Sequence, residues 1–238
     1  MSEENIHLDG ISITLYKSKK AKSINITIKP FKGVRVAIPW YSSYKQAKRF
    51  VKQREDWIKK HSFKMQQLEN QRTIFDWDSQ FKTRDHTLKI SKVNSDLIKT
   101  VINNGMIQVN LPEYCAIQSE EIQEKIQKGI ELAWRKEAKD YLPKRVSELA
   151  EKHGLIYNRV KINSAKTRWG SCSYDNNINL TLFLMRLPDD LVDYVILHEL
   201  AHTKVKNHGP KFWNLLDQFT GNAKQIDKEL KKYKIKIY

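Results

Sequence analysis

Pro188-Asp189-Asp190-Leu191-Val192-Asp193-Tyr194-Val195-Ile196-Leu197-His198-Glu199-Leu200-Ala201-His202 is the stretch on which the reading of this chain turns. A proline followed by two aspartates opens a helix in the expected way, with acidic groups near its positive end. Leu191, Val192, Tyr194, Val195, Ile196 and Leu197 make that helix apolar nearly all round, so it should be buried. Two histidines and a glutamate then follow within five residues. Buried polar groups are costly unless paired, so this cluster calls for a compensating partner. At about 100° per residue, His198 and His202 stand one turn apart on one face and can reach a single ion. Glu199 points elsewhere, yet lies close enough to hold a water on that ion. Zinc is the partner this His-Glu-x-x-His spacing suits.

Two histidines do not complete a catalytic zinc site, which usually takes three protein ligands and leaves the fourth position to water. His208 is the obvious third. In a continued helix it would lie about 9 Å further along the axis than His202, out of reach of an ion held at roughly 2.0–2.1 Å. The chain must therefore turn. Asn207 and Gly209-Pro210 supply the turn signals, with proline suited to the first turn of a new helix. That helix would carry Phe212, Trp213, Leu215, Leu216 and Phe219 against the core and stop near Gly221. His198 to His208 has the spacing of the metzincin signature, but Val205 stands where that class has glycine and no Met-turn is recognisable. A metzincin proper is not expected. A purely structural zinc site would leave Glu199 without a role, and two core histidines bonded to backbone is the weakest reading.

Composition bounds the rest. At 238 residues the chain is one large domain or two small ones, and 40% hydrophobic with 29% charged residues is ordinary for a folded protein. No apolar run approaches the roughly 20 residues that cross a bilayer. Met1-Ser2-Glu3-Glu4-Asn5 lacks the basic and apolar regions of a secretory signal, so a cytoplasmic protein is expected. Cys115 and Cys172 are too few for a disulfide framework or a Cys-rich zinc site. The net charge of +16 would favour nucleic acid, nucleotides or acidic protein surfaces. Solvating pairs such as Lys59-Lys60 and Lys231-Lys232 account for it equally well, since the charge is spread along the chain.

Working outward from the helix, the organisation is α+β. Ile11, Ile13 and Leu15, then Ile24, Ile26 and Ile28, then Val34, Val36 and Ile38 alternate with polar residues, and Lys32-Gly33 supplies a turn. This predicts a small antiparallel sheet. Ser42 or Ser43 can cap a helix with Ala47, Phe50, Val51, Trp57 and Ile58 on one face, continuing towards Glu69. From Phe81 to Leu111 a second strand-rich stretch turns at Asn103-Asn104-Gly105, a strong hairpin signal. Ser119-Glu120-Glu121 opens a long helix with Ile122, Ile126, Ile130, Ala133, Trp134, Tyr141 and Leu142 on one face. Pro143 should kink it and Gly154 end it. A short strand over Val160 to Ile162 and a hairpin across Tyr174-Asp175-Asn176-Asn177 precede the zinc helix. We therefore expect a β-rich N-terminal region with one helix over 1–115 and a catalytic domain with a small β-hairpin sheet over 116–238.

Arg168-Trp169-Gly170-Ser171-Cys172-Ser173, Ile178-Asn179-Leu180, Pro188, the run from Asp193 to His202, and Asn207-His208 with Phe212-Trp213 together resemble the YgjP-like metallopeptidase family. The N-terminal strands and the Trp57-Ile58 helix fit the family's layout. That family is grouped with the zincins, close to the SprT-like and WLM proteins. The resemblance implies a metal-dependent hydrolase with a zincin-like fold, metal ligands at His198, His202 and His208, and a catalytic glutamate at Glu199. Leu180-Thr181-Leu182-Phe183 departs from the family, where asparagine and tryptophan are expected shortly after Leu180, so the rim of the active-site cleft would differ. Phe75 to Leu111 looks longer than usual, as a β insertion would.

The expected chemistry is peptide hydrolysis by a zinc-bound water whose proton passes to Glu199. Arg168 or Asn207 would help stabilise the oxyanion, or serve instead as a hairpin-face charge and a turn former. Trp169 reads as core and Cys172 as a small buried hydrophobe. Two alternatives stay open: a metal-dependent nucleoside triphosphate pyrophosphatase, and a nucleic-acid-associated protease or binding module.

Overall fold

The computed structural model describes residues 3–29, 33–70 and 73–235. Two compact units divide the chain, over Met1–Thr73 and Ile74–Ile237. The first holds β1 (Glu3–Leu8), β2 (Ile11–Ser18), β3 (Asn25–Lys29), β4 (Gly33–Pro39), α1 (Tyr44–Gln53) and α2 (Glu55–Asn70). Period-two alternation puts Ile13, Leu15, Val34, Val36 and Ile38 on one sheet face, buried with Ala47, Val51 and Ile58. Ser43 caps α1 through a capping box, its Oγ accepting from the Gln46 N–H at 3.2 Å while Gln46 Oε1 accepts from the Ser43 N–H at 2.8 Å.

Three features of this unit differ from the expectation. The strand order is β1-β2-β4-β3, and β2 pairs with β4 in parallel, so the sheet is mixed rather than wholly antiparallel. Each strand reverses on the one before, but β4 inserts between β2 and β3 and so runs alongside β2 in the same direction. The helix towards Glu69 is broken at Arg54 into α1 and α2. Trp57 is 40% exposed, off the face that buries Ile58. The Lys32-Gly33 turn lies at the margin of residues 30–32, outside the described residues.

The second unit holds β5 (Thr87–Val93), β6 (Lys99–Asn103), β7 (Met106–Pro112), α3 (Glu120–Lys152), β8 (Arg159–Asn163), β9 (Gly170–Cys172), β10 (Asn177–Thr181), α4 (Asp189–Ala201), α5 (Pro210–Thr220) and α6 (Ala223–Leu230). β6 and β7 form the hairpin read from Asn103-Asn104-Gly105, with positive φ at Asn104 and Gly105. β9 and β10 form the second hairpin, and β8 adds to β10 in parallel. α3 passes through Pro143 as one element and buries Ile122, Ile126, Ile130, Ala133, Trp134 and Leu142, with Tyr141 half-buried.

α3 also explains why the division falls at Thr73/Ile74, ahead of the expected break at 115. Ile107, Val109 and Leu111 of β7 share one core with α3 and α4. The buried Gln123 side chain accepts from the Phe75 N–H at 2.8 Å and donates to the Phe75 and Ile117 carbonyls at 2.7 and 2.9 Å. Glu137, also buried on α3, accepts from the Asp85 N–H at 3.1 Å and bonds His86 Nδ1 at 2.7 Å. Phe75, Leu88, Ile90, Ile107, Val109 and Leu111 are thus packed into the core of this unit. The 3-10 turn Leu182–Arg186 buries Leu182, Phe183 and Leu184. The departure from the family at Thr181–Phe183 therefore falls in the interior, where shape is matched by packing, and not on a cleft rim. Among the described residues no helix is long and apolar enough to cross a membrane.

Candidate metal centre

α4 is buried along nearly its whole length, from Leu191 to Ala201, as its apolar circumference requires. His198 and Glu199 stand in its last turn and His202 caps it. The chain then reverses: the Thr203, Lys204 and Val205 N–H groups donate to the Leu200 and Ala201 carbonyls at 2.9–3.0 Å. Gly209 takes an extended conformation and Pro210 is the first residue of α5. This bend returns His208 to the two helical histidines, as its distance along a continued helix demanded.

His208 Nε2 stands 3.0 Å from His198 Nε2 and 3.1 Å from His202 Nε2, and one ring nitrogen from each of the three lies within 4.8 Å of the others. His202 Nδ1 donates to the Val205 carbonyl at 3.0 Å, which places its proton there and leaves the Nε2 lone pair facing the cluster. Phe212, fully buried on α5, underlies all three rings: it stacks on His202 with centroids 4.4 Å apart and meets His198 and His208 edge-on at 4.9 and 4.7 Å. Val205 also lines a cavity of about 650 Å³ with Leu155, Lys204, Leu215 and Phe219. That cavity adjoins the outer partner of His202.

The donor set fits a divalent cation. Burial, reinforced by its two neighbours, pushes the His198 imidazole down to about 4, and burial likewise lowers His202. At neutral pH these rings are therefore uncharged, and His202 turns its lone pair inward. A single hydrogen on His208 Nε2 can serve only one of the two nitrogens that face it, so the arrangement is short of protons. Tetrahedral ligands held 2.0–2.1 Å from one ion lie roughly 3.3 Å apart, close to the spacing here.

Glu199 is 6% exposed, and burial pushes its carboxyl up to about 8, against the opposing field of Arg168. It is wedged on the backbone of Gly170, where an added Cβ would stand 2.7 Å from Glu199 Cγ and Oε1. Gly170 and Phe212 are site residues that sequence reasoning did not single out. Trp169 and Cys172, expected in the interior, are only half-buried and pack against the core from outside it. Arg168 is exposed with its charge felt at Glu199, whereas Asn207 serves the turn, its carbonyl accepting from the Gly209 N–H at 2.8 Å.

A family model described as YgjP-like, metallopeptidase domain, matches residues 22–233. The chain belongs to the YgjP-like family. This YgjP-like chain is accordingly a metal-dependent peptidase, acting on protein or peptide. It is also similar to two solved metallopeptidase zymogens, jannalysin of Methanocaldococcus jannaschii and abylysin of Pyrococcus abyssi. Each is 26% identical over 37% of this chain, covering 92% and 91% of their own lengths, with a TM-score of 0.34. No curated protein matches the YgjP-like chain.

Proposed function

We propose that the chain is a zinc-dependent peptidase in which His198, His202 and His208 hold the ion and Glu199 is the general base. The convergence of three ring nitrogens, with His208 Nε2 3.0 and 3.1 Å from those of His198 and His202, carries this reading. When bound, zinc would supply Lewis-acid polarisation of the scissile carbonyl and would make an attacking water more acidic. The Val205 carbonyl fixes the tautomer and orientation of His202, and Phe212 sets the mutual angle of the three rings.

Glu199 takes the proton of the attacking water and passes it to the departing amine. Its side chain is held against Gly170, which fixes where the carboxylate stands for that proton transfer. Of the two residues expected to stabilise the oxyanion, Arg168 is the charged one, and its field opposes the burial that raises Glu199.

The test is metal content measured beside turnover on a peptide panel. Glu199→Gln should keep stoichiometric zinc and lose on the order of 10²-fold or more in kcat, the scale of general acid-base catalysis. His208→Ala should lose the metal. Unchanged turnover in Glu199→Gln, or full zinc retention in His208→Ala, overturns the assignment.

A further inference from the structure

The positive charge of this chain is unevenly divided. Residues 1–73 contain 16 Lys+Arg against 6 Asp+Glu, a surplus of ten that makes up most of the net +16. Four of the six acids of this unit are already paired: Glu3 with Arg35, Glu4 with Lys48, and Asp9 and Glu55 with Lys59. Lys19, Lys20, Lys22 and Lys45 are exposed and make no ion pair among the described residues.

The parallel pairing of β2 with β4 brings Lys19, Lys20 and Lys22 to the end of the sheet from which the chain runs on to α1 and Lys45. Ser18 at the end of β2 is registered with Pro39 at the end of β4, and β3 starts from the same end, with Asn25 opposite Ala37. The loop after β2, carrying Lys19, Lys20 and Lys22, and the loop after β4, carrying Trp40 and Tyr41, therefore leave one end of the sheet. They are tied together there. The Tyr41 hydroxyl donates to the Lys22 carbonyl at 2.8 Å, and the Lys17 ammonium donates to the Trp40 carbonyl at 3.4 Å and to the Ser42 carbonyl.

Trp40 and Tyr41 are 69% and 64% exposed, set edge to face at 5.8 Å. A large apolar ring kept this open at the end of a fixed loop contributes little to the core. Flat rings flanked by unpaired lysines offer what single-stranded nucleic acid needs: a stacking platform for bases and cations for the backbone. Duplex bases are already stacked on one another, which favours the unpaired strand.

We propose that this end of the N-terminal sheet is a binding surface for single-stranded nucleic acid, with Trp40 and Tyr41 stacking on bases and Lys19, Lys20, Lys22 and Lys45 contacting phosphates. A lipid surface is the less favoured partner, because the Tyr41 hydroxyl is engaged with backbone and the adjoining loop exposes Lys19, Lys20 and Lys22.

Fluorescence anisotropy of a labelled 12-nucleotide DNA single strand against the full chain tests this. Affinity should fall with log salt at about −0.7 per phosphate contact, and Lys19→Glu/Lys20→Glu/Lys22→Glu should flatten that slope by about 2. Trp40→Ala should weaken binding roughly 5- to 100-fold at unchanged melting temperature, while leaving affinity for inorganic polyphosphate, which has no bases, intact. A matched control on α3, Lys125→Glu/Lys128→Glu/Lys139→Glu, should have little effect. Equal loss in that control, equal loss of polyphosphate binding in Trp40→Ala, or Trp40-dependent binding to phosphatidylserine vesicles without binding to the oligonucleotide overturns the proposal. Peptidase turnover is a separate readout, so failure here leaves the zinc assignment standing.

Discussion

The contact between Gly170 and Glu199 constrains the site as tightly as any ligand does. Because a Cβ on residue 170 would stand 2.7 Å from Glu199 Cγ and Oε1, Gly170→Ala must push the carboxylate aside. A displacement near 1 Å at a catalytic group costs about 10²-fold. We expect Gly170→Ala to lose turnover on that scale while binding zinc like the parent, checked by kcat beside metal stoichiometry; full activity would show that Glu199 has room to spare. Glu199 also predicts a pH effect in metal-stripped protein. Its folded pKa of about 8 lies above its unfolded value, so between roughly pH 4.5 and 8 the folded state holds a proton the unfolded state has released. Stability from this group is present below 4.5 and is lost as pH rises towards 8. Glu199→Gln removes that loss, so variant and parent should diverge progressively over this window in urea midpoints, by a few kcal/mol at most at pH 9. Parallel profiles would refute it. His198 works in the other direction: its depressed pKa of about 4 costs stability as pH falls from about 6.5. His208 was legible in the sequence because a straight helix cannot deliver it. Gly170 and Phe212 were not, because each acts through a contact across the fold that spacing alone does not encode.

At the scale of elements, α4 shares a core with α3 and is also tied to it by a well-formed ion pair. Arg145 Nε and Nη2 bond Asp193 Oδ1 and Oδ2 at 2.7 and 2.6 Å, a bidentate fork that also raises the Arg145 pKa. Asp193 lies five residues before His198 on the same helix, so the pair anchors the element that presents the cluster. Hydrogen bonds to charged groups contribute about 1.5–3 kcal/mol, and both partners are less than a third exposed. Asp193→Ala should therefore cost about 2 kcal/mol in denaturant midpoint, and Asp193→Asn less, since one acceptor remains. A change within 0.5 kcal/mol would class the pair with ordinary surface bridges. Elements set by local chemistry were readable: the Asn104-Gly105 turn needs positive φ at both positions, and Ser43 with Gln46 makes a capping box. Elements set by pairing across the chain were not. Nothing local to Ile13 or Val36 says that their strands run side by side in one direction, and nothing local to Thr181–Phe183 says that it is interior.

Over the whole molecule, two cores meet two demands. Ile13, Leu15, Val36 and Ile38 form one with α1 and α2, while α3, α4 and the sheets around them form the other. The proposed zinc ligands all belong to the second. An ion that binds only the folded form stabilises it by about 4 kcal/mol when free metal is a thousandfold above Kd. For a unit of this size each kcal/mol moves the midpoint by roughly 2–4 °C, so chelation should lower its melting by roughly 8–16 °C. Calorimetry of the full chain with and without a chelator is the measurement. We expect the transition that reports the second core to move and the one that reports the first to stay. His208→Ala, which already lacks the third imidazole, should melt like the chelated parent and shift no further when chelator is added. Equal displacement of both transitions, or a chelator shift in His208→Ala as large as in the parent, would place the stabilising ion somewhere other than between His198, His202 and His208.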